Sequence, residues 1–521
     1  MLKILFAASH EYVGSPGSMD WKLDMKSSAA PSTVLWPPAA TCARVIMAAM
    51  ATLLNLGHVL AQTPDPQPPG YVNDSVRPAL NLFPADQDWS FLARPALHPD
   101  FFDPAKYIRL ADDPQRYISF GLEYRTEYEY YDNWMLGAVP QDHDGYILSR
   151  VMPHFDLHVG SDFRLFSEFQ FDYVAERAGG PRPGVDQAPG DVHQTFLEVG
   201  PHVSRGHGSS LRLGRQEVVL GSGRLFDNNE GPNVKLSFDG VRWVTQTSHL
   251  RWDVFALKPV EDNSTGFFED HPNAQQTTWG SYLTVPTPVL SRGMADLYYL
   301  GLATKDASYN RGSASELRHT VGIRAFRPPS KGLDYNWEAN FQWGSFGNDS
   351  IRAWSLSTET GYTFDQVRFR PRPMLRADVY SGDDNPTGTT LGTYNSYFPR
   401  GAYFTPKLSP FLGPQNLIDL HPMMQFQLRR NITGEVSWDW YWRESGHDGV
   451  YAFGSGILMD SASSSSARYL GNQGDMEIRW SPAPHFIAAI NLAGFQPGGF
   501  FDRVASNRPP IATNAGLTFR F

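Results

Sequence analysis

The sequence has almost no cysteine. Cys42 stands alone, so neither a disulfide framework nor a cysteine-based metal centre can form. Beyond its N-terminal region it has no run near the roughly 20 apolar residues that a membrane-spanning helix needs. It has no basic excess: 44 Lys and Arg stand against 54 Asp and Glu, and this net charge of −10 gives no support for nucleic-acid binding. No G-x-S-x-G elbow or phosphate-binding glycine loop is present. His154 and His158 are four apart, which on a strand leaves them roughly 13 Å from each other, too far to share a zinc ion. With no convincing Ser–His constellation, neither an enzyme nor a cofactor is expected.

What the chain does have is aromatics, turns and alternation. It carries 33 Phe, 23 Tyr and 14 Trp, with 46 Gly and 40 Pro to make turns. Mean hydropathy is only −0.37. Tyr117–Tyr131 sets the pattern. Ile118, Phe120, Leu122, Tyr124, Thr126, Tyr128 and Tyr130 share one face of a strand; Ser119, Gly121, Glu123, Arg125, Glu127 and Glu129 share the other. The run exceeds the usual soluble strand and suits a tilted strand crossing a bilayer, which takes roughly 9–11 residues. About 18 such segments follow one another, among them Phe163–Glu176, Ser210–Leu220, Val234–Gln246 and Ile432–Arg443, with short and long connections alternating. The predicted fold is all-β, a transmembrane antiparallel barrel of outer-membrane type over residues 117–521. The competing soluble sandwich or propeller is disfavoured because the aromatic face stays apolar along whole strands.

Residues 1–61 read as a secretory signal peptide. Arg44 precedes the mostly apolar Val45–Leu56, and Val59-Leu60-Ala61 offers a cleavage pattern. If translation begins at Met19 or Met25, most or all of residues 1–24 is an untranslated leader. Residues 62–116, rich in Pro and Asp, read as an irregular periplasmic segment, too short for the plug of a TonB-dependent transporter.

The stretch LRLGRQEVVLGSGRLFDNNEGPNVKLSFDGVR, Leu211–Arg242, resembles the alginate export family of outer-membrane proteins. Blocks in the same order extend the resemblance from about Asp88 to Phe521: DWSFL, DPAKYIRL, GLEYRTEYE, YNWEANFQWGSFG, SGDDNPTGTTLGTYNSYFPRGAYF, SGHDGVYA and the terminal TFRF. The resemblance implies an 18-stranded monomeric barrel in the outer membrane of a Gram-negative bacterium, in contact with its lipid and lipopolysaccharide. The family's best-known members pass an anionic polysaccharide outward through an electropositive conduit. The C-terminal Phe521 resembles the signal read by the barrel assembly machinery.

Strand parity assigns the pore lining. Arg125, Arg150, Arg164, Arg376 and Arg443 are the basic candidates that would hold substrate, since a guanidinium fork matches a carboxylate. Glu123, Glu127, Glu168, Asp378 and Asp439 are the acidic ones, and no metal site is expected. Lys235, Arg479 and Arg520 extend the basic set; Asp419 and Asp475 extend the acidic set. Acids outnumber bases on this face. The expected substrate therefore widens from an alginate-like polyuronate to other small anionic solutes, with an occluded structural or adhesive barrel as the alternative. GRQE and SFDG read as glycine-bounded strand ends with paired charges, and SGDDNP as a turn rather than a calcium loop.

Overall fold

The computed structural model describes residues 77–521 apart from 78–79, 81–82, 95–98, 138–142, 183, 204–206, 288–292, 405–411, 454–456, 460–465 and 502–507. The chain divides into Met1–Val59 and Leu60–Phe521, and every described residue belongs to the second unit. The signal peptide read at 1–61, with Cys42, lies outside the described residues.

Eighteen strands form one closed antiparallel sheet. They are β1 (Arg116–Asp132), β2 (His143–Val159), β3 (Phe163–Ala175), β4 (Ala188–Val199), β5 (Gly208–Gln216) and β6 (Phe238–Gln246). Next come β7 (Arg251–Glu261), β8 (Gln276–Thr287), β9 (Gly293–Tyr309), β10 (Gly312–Arg327), β11 (Gly332–Phe346) and β12 (Asp349–Thr363). The last are β13 (Arg372–Tyr380), β14 (Leu417–Arg429), β15 (Ile432–Trp442), β16 (Tyr469–Ala483), β17 (Phe486–Pro497) and β18 (Ile511–Arg520). Each strand pairs with the next, and β18 pairs back onto β1, with Glu123 opposite Arg520. Closure leaves no sheet edge, which a bilayer would not tolerate.

The burial pattern inverts that of a soluble sheet. On β1, Phe120, Tyr124 and Tyr128 are 42%, 38% and 45% exposed, whereas Ser119, Arg125 and Glu127 are buried. Trp337, Phe341, Trp354, Leu356, Trp438 and Ile490 are likewise exposed on other strands. These side chains form the outward band that faces hydrocarbon, and moving each out of water contributes roughly 1.5–3 kcal/mol.

The apolar core lies inside the barrel. Two connections turn inward to build it: residues 217–237 between β5 and β6, and, between β13 and β14, residues 381–404. Phe226, on the first, is fully buried among Phe238, Phe255, Tyr397 and Phe398. An isolated parallel bridge joins Phe226 to Phe398. The strands expected at Ser210–Leu220 and Val234–Gln246 are therefore shorter than the apolar alternation suggested. Val218, Leu220 and Val234 are apolar because they face the barrel core, not lipid. Gly214 and Gly240 stand opposite each other where the chain departs, both at positive φ (127° and 152°). A Cβ at either would lie 2.3 Å from a backbone oxygen, of Thr195 or Ala256.

At the end holding both barrel termini, the segment before β1 packs under the wall. Short 3-10 turns at Pro84–Asp86 and Ser90–Ala93 precede a single helical turn, Asp103–Lys106. Phe102 stacks on Phe521 at 4.4 Å, and the Lys106 ammonium lies 5.5 Å from the same ring. Asp100 meets His485 at 3.0 Å. Burial lowers Lys106 to about 8, a shift that Asp156 only partly opposes.

Candidate functional site

The lumen holds two charge systems of different construction. The first is on the wall formed by β1–β7. Arg150 is fully buried and reaches Glu123 at 2.7 Å and Glu230 at 2.6 Å. Arg520 meets Glu123 from the closing strand at 2.6 Å. Arg125 donates to the carbonyls of Glu230 (2.9 Å) and Pro232 (2.7 Å), so it pins the inward segment to the wall. Lys235, on that segment, sits 2.5 Å from Glu217 and 3.4 Å from Glu230. Burial alone would raise the Glu217 carboxyl, yet the Lys235 ammonium and the His193 ring hold it at about 2. Burial likewise disfavours the Lys235 charge, but Glu217 and Glu230 keep it above its ordinary value.

The network continues along the wall. Arg164 grips Asp156 with two hydrogen bonds of 2.7 and 2.8 Å and reaches Glu198 at 3.4 Å. Arg212 shares Glu198 at 2.9 Å. Arg242 and Arg251 share Asp253 at 2.6 and 2.9 Å. Arg215 pairs with Asp239 at 3.0 Å, which explains the charges in GRQE and SFDG as a cross-strand brace. Asp172 is the exception. Its oxygens have no hydrogen bond, although Arg150 stands opposite it across the ladder.

The second system spans β11–β16 and the other inward segment. Tyr403 lies between two guanidinium groups, Arg376 at 3.9 Å from its ring and Arg224 at 4.6 Å. Arg376 also donates to the Tyr403 carbonyl. Arg224 pairs with Glu338 at 2.8 Å, and the neighbouring Tyr403 and Glu338 more than offset burial to raise its pKa. Nearby stand Asp378, Asp419 and Asp439, all buried. Asp378 is directly opposite Asp419. No hydrogen bond reaches either carboxylate oxygen of Asp419.

The ten residues expected to line the pore thus divide. Arg125, Arg150 and Glu123 come together around Glu230. Arg376, Asp378 and Asp439 come together near Tyr403. Glu127 accepts from Asn514 at 3.4 Å, and Glu168 from Gln194 at 2.7 Å. Arg164 belongs to the Asp156–Glu198 network. Arg443 lies just past β15, its guanidinium bonded to the carbonyls of Asp448 (2.8 Å) and Ala467 (2.7 Å) and set over the Phe500 ring at 4.4 Å. Arg479, also expected in the lumen, is exposed beside Glu477. Lys235, expected on a strand, stands on the inward segment. Sequence reasoning missed Arg224, Glu230 and Tyr403. The signal available was the Gly-, Asn- and Asp-rich middle of 217–237 and of 381–404, which breaks the alternation at its ends. Asp383 of SGDDNP is held by Arg311 at 2.5 Å.

Two trios among the described residues have donor atoms within 4.8 Å of one another: Glu168, His193 and Glu217, and Asp419, His421 and Asp439. In the first, Lys235 already supplies the positive charge.

The profile of the alginate export family matches residues 116–510. No curated protein matches the chain. Among solved structures, a BenF-like porin from Pseudomonas fluorescens Pf-5 has a TM-score of 0.53 at 8% identity, over 78% of this chain and 98% of that one. Pseudomonas aeruginosa OpdK, solved with vanillate, gives 0.51 at 10% identity, over 78% and 98%. Pseudomonas aeruginosa OccK2 (OpdF) in complex with glucuronate gives 0.50 at 9% identity, over 78% and 96%. These likenesses concern the fold.

Proposed function

This chain belongs to the alginate export family, and from that premise we propose that it passes small anionic solutes, uronate-type saccharides among them, across the outer membrane of a Gram-negative bacterium. Family and fold are those of outer-membrane channels rather than enzymes. The observation that carries the anionic reading concerns arginine. Arg125, Arg224 and Arg376 each keep a buried Nε–H with no hydrogen-bond acceptor. These donors are closed to solvent as the inward segments stand; where those segments shift, a carboxylate in the lumen offers the acceptor, and several weak stations in series favour entry without trapping. Arg125 and Arg224 also bond with or stand on segment 217–237, so the same groups that meet the solute set the width of the path.

The reading includes a monomer in contact with lipid and lipopolysaccharide, inserted by the barrel assembly machinery through Phe521. It also includes a cleaved signal at 1–61 and a periplasmic segment at 62–116. Planar-bilayer conductance tests it. Purified protein should carry an anion-selective current that glucuronate or an oligouronate reduces. Arg224→Ala with Arg376→Ala should lower the anion preference. A cation-selective current, or one indifferent to glucuronate, overturns it. The second reading is an occluded structural or adhesive barrel. It is favoured by the near-complete burial of Arg150, Arg318, Tyr394 and Phe226 inside the lumen, and absence of any conductance would select it.

A further inference from the structure

We propose that Asp419, His421 and Asp439 form a zinc-class divalent-cation site on the lumen wall. The three donor atoms lie within 4.8 Å of one another on the paired strands β14 and β15. All three side chains are at most 1% exposed. Both carboxylate oxygens of Asp419 and the Nε2 of His421 are buried without a hydrogen-bond partner. His421 Nδ1 lies 2.5 Å from Asp439 Oδ1, and 3.3 Å from Arg376 Nη1. The shorter contact is to the carboxylate. With the Nδ1 proton turned that way, Asp439 orients the ring from outside the site, and the ligand atoms left unpartnered are Nε2 and the Asp419 carboxylate oxygens.

Charge balance points to a missing cation. Asp378 faces Asp419 directly across the ladder, and Asp475 lies on β16, two residues along from the position that faces Asp439. Like charges so placed repel. The fixed cation nearby is Arg376, and its guanidinium is already engaged by the Tyr403 carbonyl and ring and lies 3.7 Å from Glu359. The trio Glu168, His193 and Glu217 makes the contrast, for there Lys235 sits 2.5 Å from Glu217. A carboxylate and an imidazole held by a second carboxylate suit zinc, or a neighbouring transition ion, better than calcium, which takes oxygen ligands.

The test uses the full-length barrel in detergent, stripped with chelator and titrated with zinc alone. Calorimetry and elemental analysis should find one zinc per barrel. Asp419→Asn and His421→Gln should each weaken binding about tenfold or more. Glu168→Gln, in the other trio, should leave it unchanged. Heat-modifiable gel mobility establishes that each variant is folded. Zinc should raise the melting temperature of the parent and not of Asp419→Asn. No stoichiometric uptake, or uptake unaffected by both substitutions, overturns the site. The readout is binding, so the outcome is independent of what the lumen conducts.

Discussion

The two charged walls of the lumen solve the same problem in opposite ways. On β1–β7, most buried acids have a cation beside them: Glu123 has Arg150 and Arg520, Asp156 has Arg164, Glu198 has Arg212, and Glu217 has Lys235. On β13–β16, Asp378 faces Asp419, whose carboxylate has no hydrogen bond, and the nearest partner of Asp439 is the His421 ring rather than a fixed cation. The difference lies in register and in the inward segment. Residues 217–237 bring Glu230 and Lys235 into the first wall, whereas residues 381–404 bring tyrosines and backbone carbonyls to the second. Balanced charges brace a wall; unbalanced ones leave it waiting for a ligand.

The sharpest way to break the first wall is Arg150→Ala. It removes the guanidinium that Glu123 and Glu230 share, leaving them to Arg520 and Lys235, and should cost at most roughly 3–5 kcal/mol, read as a lower melting temperature or loss of heat-modifiable folded protein. A pH titration probes the same wall more gently. Glu217 is held at about 2 against an ordinary value of 4.5. Its contribution to stability is therefore complete above about pH 4.5 and is lost as pH falls from there toward 2. Replacing Lys235 with Met should shrink that acid-dependent loss in melting curves. The second wall should respond with the opposite sign. In metal-free protein, Asp419→Asn removes an unpartnered carboxylate facing Asp378 and should stabilise by about 1–3 kcal/mol. A lower melting temperature in that variant would erase the contrast between the walls. Arg479→Ala should change the melting temperature least, below about 1 kcal/mol, because its pair with Glu477 is exposed.

The wall itself was legible in the sequence because a strand through a membrane writes its two faces at period two. Tyr117–Tyr131 became β1, Arg116–Asp132, almost unchanged. The interior was less legible. Val218, Leu220, Val234 and Leu236 alternate like wall residues, yet they belong to a segment whose apolar surface meets Phe226 and its neighbours inside the barrel. Alternation records that a side chain avoids water without recording whether lipid or protein replaces it. Pairing was also invisible. Arg150 looks like a free pore arginine until Glu230 arrives from another part of the chain, and the Arg376–Tyr403–Arg224 stack joins three separate elements. A lone arginine in a strand pattern carries no mark of its partner.

The pairing of β1 with β18 has a consequence in time. Glu123 and Arg520 are 397 residues apart in sequence, and their strands form the seam of the barrel. During assembly the hydrogen-bonding edge of β1 stays open until β18 is in place. So long a loop makes closure late and slow. Everything between can begin to zip, neighbour on neighbour, but the cylinder exists only once the final ten residues arrive. A chain shortened there by a few residues keeps most of its contacts and loses its seam, leaving the edge of β1 exposed to whatever strand it meets next.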